Sequence, residues 1–452
     1  MSLPRYPEYR DSGTAWLGRV PAHWERSKLK YVATFSGGGT PNRDVPEYWN
    51  GDIPWVSPKD MKAESIQGAE ECITESGLSN STANLIEPGH VLMVVRSGIL
   101  KHTIPVAINR VPVALNQDMK AISMDRTRCE PAFFARWVQG LNDDLLLAWA
   151  KQGATVESIE QAYLADTSLP LPPISEQRDI CRFLDHETAK IDALIAEQEK
   201  LIALLAEKRQ ATISHAVTRG LNPDAPMKDS GVPWLGEVPA HWEVLRVKDV
   251  ARLESGHTPS KQVAEYWEDC DIPWVSLNDS KWLAANDYIS ETAVKINHLG
   301  LENSSARMLP PGAVVFTRDA TIGLAAITTL SMAVSQHLIA WCPSARIKSE
   351  YLLRVFNAMK PHLDAHTFGA TIKTIGMADV KKLVTPLPPL AEQAAIAEYL
   401  ERSLGLIDAS CATAERAVEL LRERRAALIA AAVTGQIDVR GWQAKPASGG
   451  TA

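Results

Sequence analysis

The chain is written twice. Residues 12–57 contain SGTAWLGRVPAHWE, GGGTP and EYWNGDIPWVS, and residues 230–276 contain SGVPWLGEVPAHWE, SGHTP and EYWEDCDIPWVS. The offset is 218 residues and becomes 219 after one residue inserted near Cys270. Trp16, Trp24, Trp49 and Trp55 pair with Trp234, Trp242, Trp267 and Trp274. The likeness resumes at Pro88-Gly89 with Pro311-Gly312, Asn116-Gln117 with Ser335-Gln336, and Gly153-Ala154-Thr155 with Gly369-Ala370-Thr371. LPPISEQ (171–177) then matches LPPLAEQ (387–393), and Ile191-Asp192 matches Ile407-Asp408. A period this long is no solenoid repeat. It implies two copies of one module, each a globular domain followed by a helical segment.

The helical segments can be read directly. Pro170, Pro172 and Pro173 stop any preceding element, and no Pro or Gly interrupts Ile174 to Thr218. Apolar residues recur with 3–4 spacing at Ile180, Leu184, Ile191, Leu194, Leu201 and Leu205. The second copy gives Ile396, Leu400, Ile407, Ala414, Leu421 and Leu428. Each helix would run on the order of 65 Å. Glu187, Gln198, Ser403 and Ser410 are polar faults in the stripes. Such stripes suit a coiled coil between the two segments.

The globular parts mix short strand-like runs (90–96, 312–318) with turns and short helices (131–149, 349–365), predicting mixed α/β domains. The expected division is a first domain at 1–173, a helical spacer at 174–220 and a linker at 221–229. A second domain at 230–389, a second spacer at 390–436 and a flexible tail at 437–452 follow.

Chemistry-bearing motifs are missing. There is no GxxxxGK[ST] phosphate loop, no Asn-Pro-Pro-aromatic tetrapeptide, no HExxH and no GxSxG elbow. His362 and His366 have i,i+4 spacing but lack the intervening glutamate of a metalloprotease. The six cysteines have no CxxC spacing, so neither a zinc site nor a disulfide framework is expected. Met1 to Arg10 is polar and does not read as a signal peptide. These features fit a cytoplasmic chain with no catalytic site and no metal.

At this point the chain resembles the specificity subunits of Type I restriction-modification enzymes. W-L-G-x-V-P-x-H-W-E, G-x-T-P, D-I-P-W-V, G-A-T and L-P-P-x-x-E-Q occur twice and in order. The resemblance implies two target-recognition domains, each binding half of a split double-stranded DNA sequence. It implies two long antiparallel helices that form a coiled-coil spacer, giving a pseudo-twofold α/β architecture. It implies two methyltransferase subunits that bring S-adenosylmethionine, and two motor-nuclease subunits that use ATP and Mg. This chain would supply the address and no cofactor. A specificity subunit of another split-site system, a non-DNA interaction scaffold and an autonomous DNA enzyme are the alternatives. The net charge of −7 runs against duplex binding unless basic side chains gather on one face or partners share the phosphate contacts.

Base-reading surface is expected where the copies diverge, at 59–84 against 278–303 and 97–113 against 319–331. The tryptophans are identical in both copies, whereas different half-sites need different readers, so they are expected to pack cores. Gly38, Thr40, His257 and Thr258 lie in glycine-bearing turns that could approach phosphate. Arg43, Lys59, Arg96, Lys101, Lys261, Lys281 and Arg318 are basic residues in or beside loops. Arg96 and Arg318 occupy matching places after a strand-like run and suit phosphate or guanine. Gln117, Asn278, Gln336 and His337 are candidate base readers, and Thr155, Thr371 and Lys373 candidate backbone contacts.

Overall fold

The computed structural model describes residues 4–14, 16–151, 155–365 and 374–443. The chain forms two compact units. Unit 1 is residues 1–198 with 416–452, and unit 2 is residues 199–415.

Two long helices dominate the order of elements. Helix α1 is Ile174–Arg219 and helix α2 is Leu390–Val433. Each begins in one unit and ends in the other. Within unit 1, Arg425 of α2 bonds Asp192 of α1, and Trp442 beyond α2 meets Phe183 and His186 of α1. The two helices are therefore antiparallel there. Within unit 2, Arg209 bonds Asp408 in the same manner, at an offset of 216 from both. The helices end at Arg219 and Val433, and the phase of the stripe in α1 differs from the expected one. Leu194 and Leu201 are 46% and 41% exposed. The inward row is Ile191, Ile195, Gln198, Ile202, Leu205 and Arg209, ending on buried Ile213. Two apolar rows lie one residue apart on this helix, and packing selects the one with isoleucines at a heptad spacing.

Each unit carries the same sheets. In unit 1 a five-stranded sheet runs Ala33–Gly37, Met119–Met124, Val91–Val94, Val106–Asn109, Ser65–Ile66. All its pairs are antiparallel except the last. Unit 2 repeats it with Ala251–Ser255, Leu338–Pro343, Val314–Thr317, Ala325–Thr328, Tyr288–Ile289. Val91–Val94 is buried at all four positions, as a central strand covered on both faces must be. A small three-stranded sheet follows in each unit, centred on Trp49–Val56 and on Ile272–Val275. Each has its own small core, around Trp55 and Ile73 or Trp274 and Ile296.

The far end of each helix completes the other helix's starting module. Gly435, after α2, has φ +74° and packs against Pro21 and Trp24. Gly220, after α1, has φ +73° and packs against Trp242 and Pro239. Only glycine takes this conformation without strain. Residues 437–443 are not a free tail: Val439 is buried in the unit 1 core, and the Asp438 N–H donates to the Pro4 carbonyl at 2.8 Å. Nor is 221–229 wholly a linker, because Met227–Asp229 pairs with Glu237–Pro239. The missing periodicity in both stretches reflects three-residue strands and turns, which are too short to show a pattern.

Candidate nucleic-acid interface

The repeated motifs resolve into a clasp. Trp24 Nε1–H donates to Glu176 at 2.8 Å, and His23 Nε2 meets the other oxygen at 2.8 Å. Trp242 and His241 treat Glu392 alike, at 2.9 and 2.7 Å. Gln177 Nε2–H donates to the carbonyls of Pro172 and Arg128, and Gln393 does so to those of Pro388 and Arg346. The H-W and E-Q motifs thus pin each helix start to its sheet. Their carboxylates and amides are satisfied inside the protein.

The tryptophans of the EYW and DIPW motifs pack against one another. Trp49 and Trp55 meet edge to face at 5.3 Å, and Trp267 and Trp274 at 5.6 Å. Trp55 and Trp274 donate to the carbonyls of Gly39 and His257, which anchors the glycine turns. The Gly39 N–H donates to Leu115 and the His257 N–H to Val334. A Cβ on Gly38 would lie 2.0 Å from the Asn116 carbonyl oxygen, and one on Gly256 would lie 2.1 Å from that of Ser335. Close backbone approach therefore requires these glycines.

That approach brings several expected residues to one turn, 116–118. Thr40 hydrogen-bonds the Gln117 side chain, and both are exposed. The Arg96 N–H donates to the Asp118 carbonyl at 3.2 Å, and Arg96 Nε lies 3.5 Å from the Asp118 carboxylate. Arg96 also forms a β-bridge with Ser158, near exposed Thr155. The second module builds the same turn at 335–337. The Arg318 N–H donates to the His337 carbonyl, and Gln336 is exposed beside it. His257 is exposed and Thr258 half-buried on the adjoining turn.

Other expected residues stand apart. Arg43 is engaged bidentately by Glu71 and lies 3.9 Å over the Trp49 ring. Lys261, at the matching place, is exposed. Lys59, Lys101, Asn278 and Lys281 are exposed on short helical turns, with no hydrogen bond to the central turn among the described residues. Thr371, Lys373 and His366 lie outside the described residues. The divergent segments are partly structural: Ser65–Ile66 and Cys72–Ile73 are strands, and Ser280–Ala285 is a helix.

Sequence reading missed the acidic partners, Asp118 and Asp319, and half-buried Lys120. Burial lowers the Lys120 pKa, and Ile339 stands in its place in unit 2. The signal was present at the aligned turn, where Asp118 faces His337 between otherwise similar neighbours. Six buried side-chain polar atoms have no hydrogen-bond partner among the described residues. Three of them, Asp118 Oδ1, Arg318 Nε and Ser335 Oγ, belong to this turn and its arginine in the two modules. No group of His, Cys, Asp or Glu among the described residues is arranged to hold a metal. No helix among them is long and apolar enough to cross a membrane.

Comparison with known proteins agrees with this duplication. Residues 21–203 and 239–410 match the family described as Type I restriction modification DNA specificity domain. The Escherichia coli EcoR124I/EcoR124II specificity subunit is 36% identical over 41% of this chain and 45% of its own length. The Methanocaldococcus jannaschii MjaIX specificity subunit is 24% identical over 77% of this chain and 82% of its own. Among solved structures, a component of a type I R-M system gives a TM-score of 0.66 at 19% identity, covering 92% of this chain and 98% of that one. The HsdS subunit from Thermoanaerobacter tengcongensis gives 0.51 at 18% identity with the same coverage, so the fold is shared. Two matched domains, one after the other along most of the chain, settle the assignment: the protein belongs to the Type I restriction-modification DNA specificity family, and it recognises a DNA target without a catalytic role of its own.

Proposed function

We propose that each module reads one half of a split, asymmetric DNA sequence. The duplicated turn beside the glycine loop is then the centre of each reading surface. The observation that carries this is repetition with exchange. Both modules present an arginine at the same turn, yet its acidic and imidazole neighbours differ, as two readers of different half-sites require. Gly38, Thr40, Arg96, Gln117 and Thr155 serve the first half, and His257, Thr258, Arg318, Gln336 and His337 the second. Lys59, Lys101, Lys261, Lys281 and Asn278 add phosphate or edge contacts, and Thr371 and Lys373 belong to the same proposal. Arg43 contributes by holding Trp49 and Glu71 in place.

The chain works in a cytoplasmic complex with two methyltransferase subunits and two motor-nuclease subunits. Those partners carry S-adenosylmethionine, ATP and Mg. Basic surface on the partners offsets the net charge of −7. The functional division follows the repeat, with recognition domains at 1–173 and 230–389 and helical spacers at 174–220 and 390–436. The test is a map of methylated adenines in cells carrying the cognate methyltransferase subunit, with and without this chain. A split asymmetric motif that requires the chain is expected. Stable co-purification without new methylation would overturn the reading.

A further inference from the structure

The arginines of the two turns differ in what surrounds them. Arg96 is 59% exposed in its side chain and has the Asp118 carboxylate at 3.5 Å. Arg318 is only 25% exposed, and no described residue accepts a hydrogen bond from its guanidinium. The nearest carboxylate is Asp319, 3.8 Å from Nε. Asp319 is committed elsewhere: Oδ2 meets His337 Nδ1 at 2.8 Å, and Oδ1 accepts from the Thr374 hydroxyl. The backbone of Arg318 is fixed on both sides, donating to His337 and accepting from Ile375, each at 3.0 Å. Ala320, two residues on, has φ +63°, a conformation that costs a non-glycine residue energy and gathers at functional loops.

The Arg318 Nε is buried without a hydrogen-bond partner, a cost that a docking partner would remove, while the side chain as a whole keeps 25% of its surface open to one. Its five donors are fixed in a plane and match two acceptors side by side. In the DNA major groove that pattern is guanine O6 and N7. We propose that Arg318 reads a guanine in the half-site of the second module. Asp319 is the positioning residue, and His337 and Thr374 keep its carboxylate from closing on Arg318. In the first module the equivalent Arg96 has its nearest carboxylate on Asp118, whose neighbours do not include the His337 and Thr374 partners that hold Asp319. This inference rests on the DNA-reading proposal and adds the base and the residue.

The test uses the full chain with its methyltransferase partner, read by methylated-adenine mapping. Arg318→Lys keeps the charge but loses the fork. The preference for guanine at one position of the second half-site should fall by roughly tenfold or more, with the first half unchanged. His337→Ala frees Asp319 to swing onto Arg318 and should relax the same position. Asp319→Asn added to His337→Ala removes the quenching charge and should restore the preference, which a purely structural role for His337 would not allow. An unchanged motif in Arg318→Lys makes Arg318 at most a phosphate contact, which a lysine also serves, and overturns the inference while the DNA-reading proposal stands. Failure of the double variant to restore the motif overturns the positioning role. Loss of all chain-dependent methylation in the wild type would instead refute the DNA-reading proposal itself.

Discussion

Glu64 in unit 1 and Asp287 in unit 2 occupy the same place, one methylene apart, and that methylene decides how each module grips its helices. Glu64 accepts from Arg136 at 2.6 Å and from Arg425 of helix α2 at 3.0 Å. Arg425 in turn holds Asp192 of helix α1 at 2.9 Å. The acid therefore ties the globular module to both helices. Asp287 bonds both terminal guanidinium nitrogens of Arg354, the counterpart of Arg136, and no other side chain among the described residues. Arg209, the counterpart of Arg425, holds only Asp408 among the described residues. A cavity of about 140 Å³ opens there, lined by Arg209, Asp287, Asn357 and Lys360 among others. The repeat thus conserves the arginines and varies the reach between them. Unit 1 has the continuous network, and unit 2 has a gap in it.

The largest break in this comparison should come where the helix ends close each module. Gly435→Ala combines a left-handed backbone with a Cβ placed 2.3 Å from the Pro21 ring. Gly220→Ala shares the backbone cost but meets Trp242 at 3.0 Å. We expect losses of about 3 and about 1.5 kcal/mol respectively, from the left-handed penalty plus overpacking. Denaturant midpoints of the two variants measure the difference, and equal losses would show that the Pro21 contact relaxes freely.

A smaller effect should come from exchanging the acids. Asp287→Glu should reach Arg209 and close the gap, a gain of about 0.5 kcal/mol at most because the pair is half-exposed. Glu64→Asp should lose the Arg425 contact by a similar amount. Hydrogen exchange along residues 205–213 and 421–429 reports each change in its own unit.

The smallest effect is in acid. Burial pushes the Glu64 carboxyl upward, but Arg136 and then Arg425 more than reverse it, leaving it below the ordinary carboxylate range. A depressed folded pKa contributes stability that is complete above the unfolded value of about 4.3 and is lost as pH falls through the folded value. The wild-type chain should therefore lose more stability than Glu64→Gln between pH 6 and roughly pH 3. Parallel declines in urea titrations would mean that the network has no electrostatic role.

Much of this was legible because helices and repeats are local signals. The absence of Pro and Gly from 174–218 gave the limits of helix α1 to within a residue. Identity between copies marked Trp24 and Trp242 as core, and both are fully buried. The phase at Leu194 and Leu201 was not legible, since adjacent rows on the helix are both apolar and only the partner helix chooses. Sequence likewise ranked Arg96 with Arg318 as equals. Their difference arises across strands, from residues 22 and 19 positions away at Asp118 and His337, and spacing alone carries no such information. Arg43 looked like a free cation because Glu71 is 28 residues distant.

The account's central claim is that the two modules read independent halves of one site. It is tested most directly by replacing residues 58–113, and separately 278–331, with the corresponding segment of a relative that has a different target. Methylated-adenine maps are then compared in cells carrying the partner methyltransferase. The account predicts that each replacement rewrites one half of the motif and leaves the other half unchanged. Replacements that alter both halves together, or neither, would contradict it.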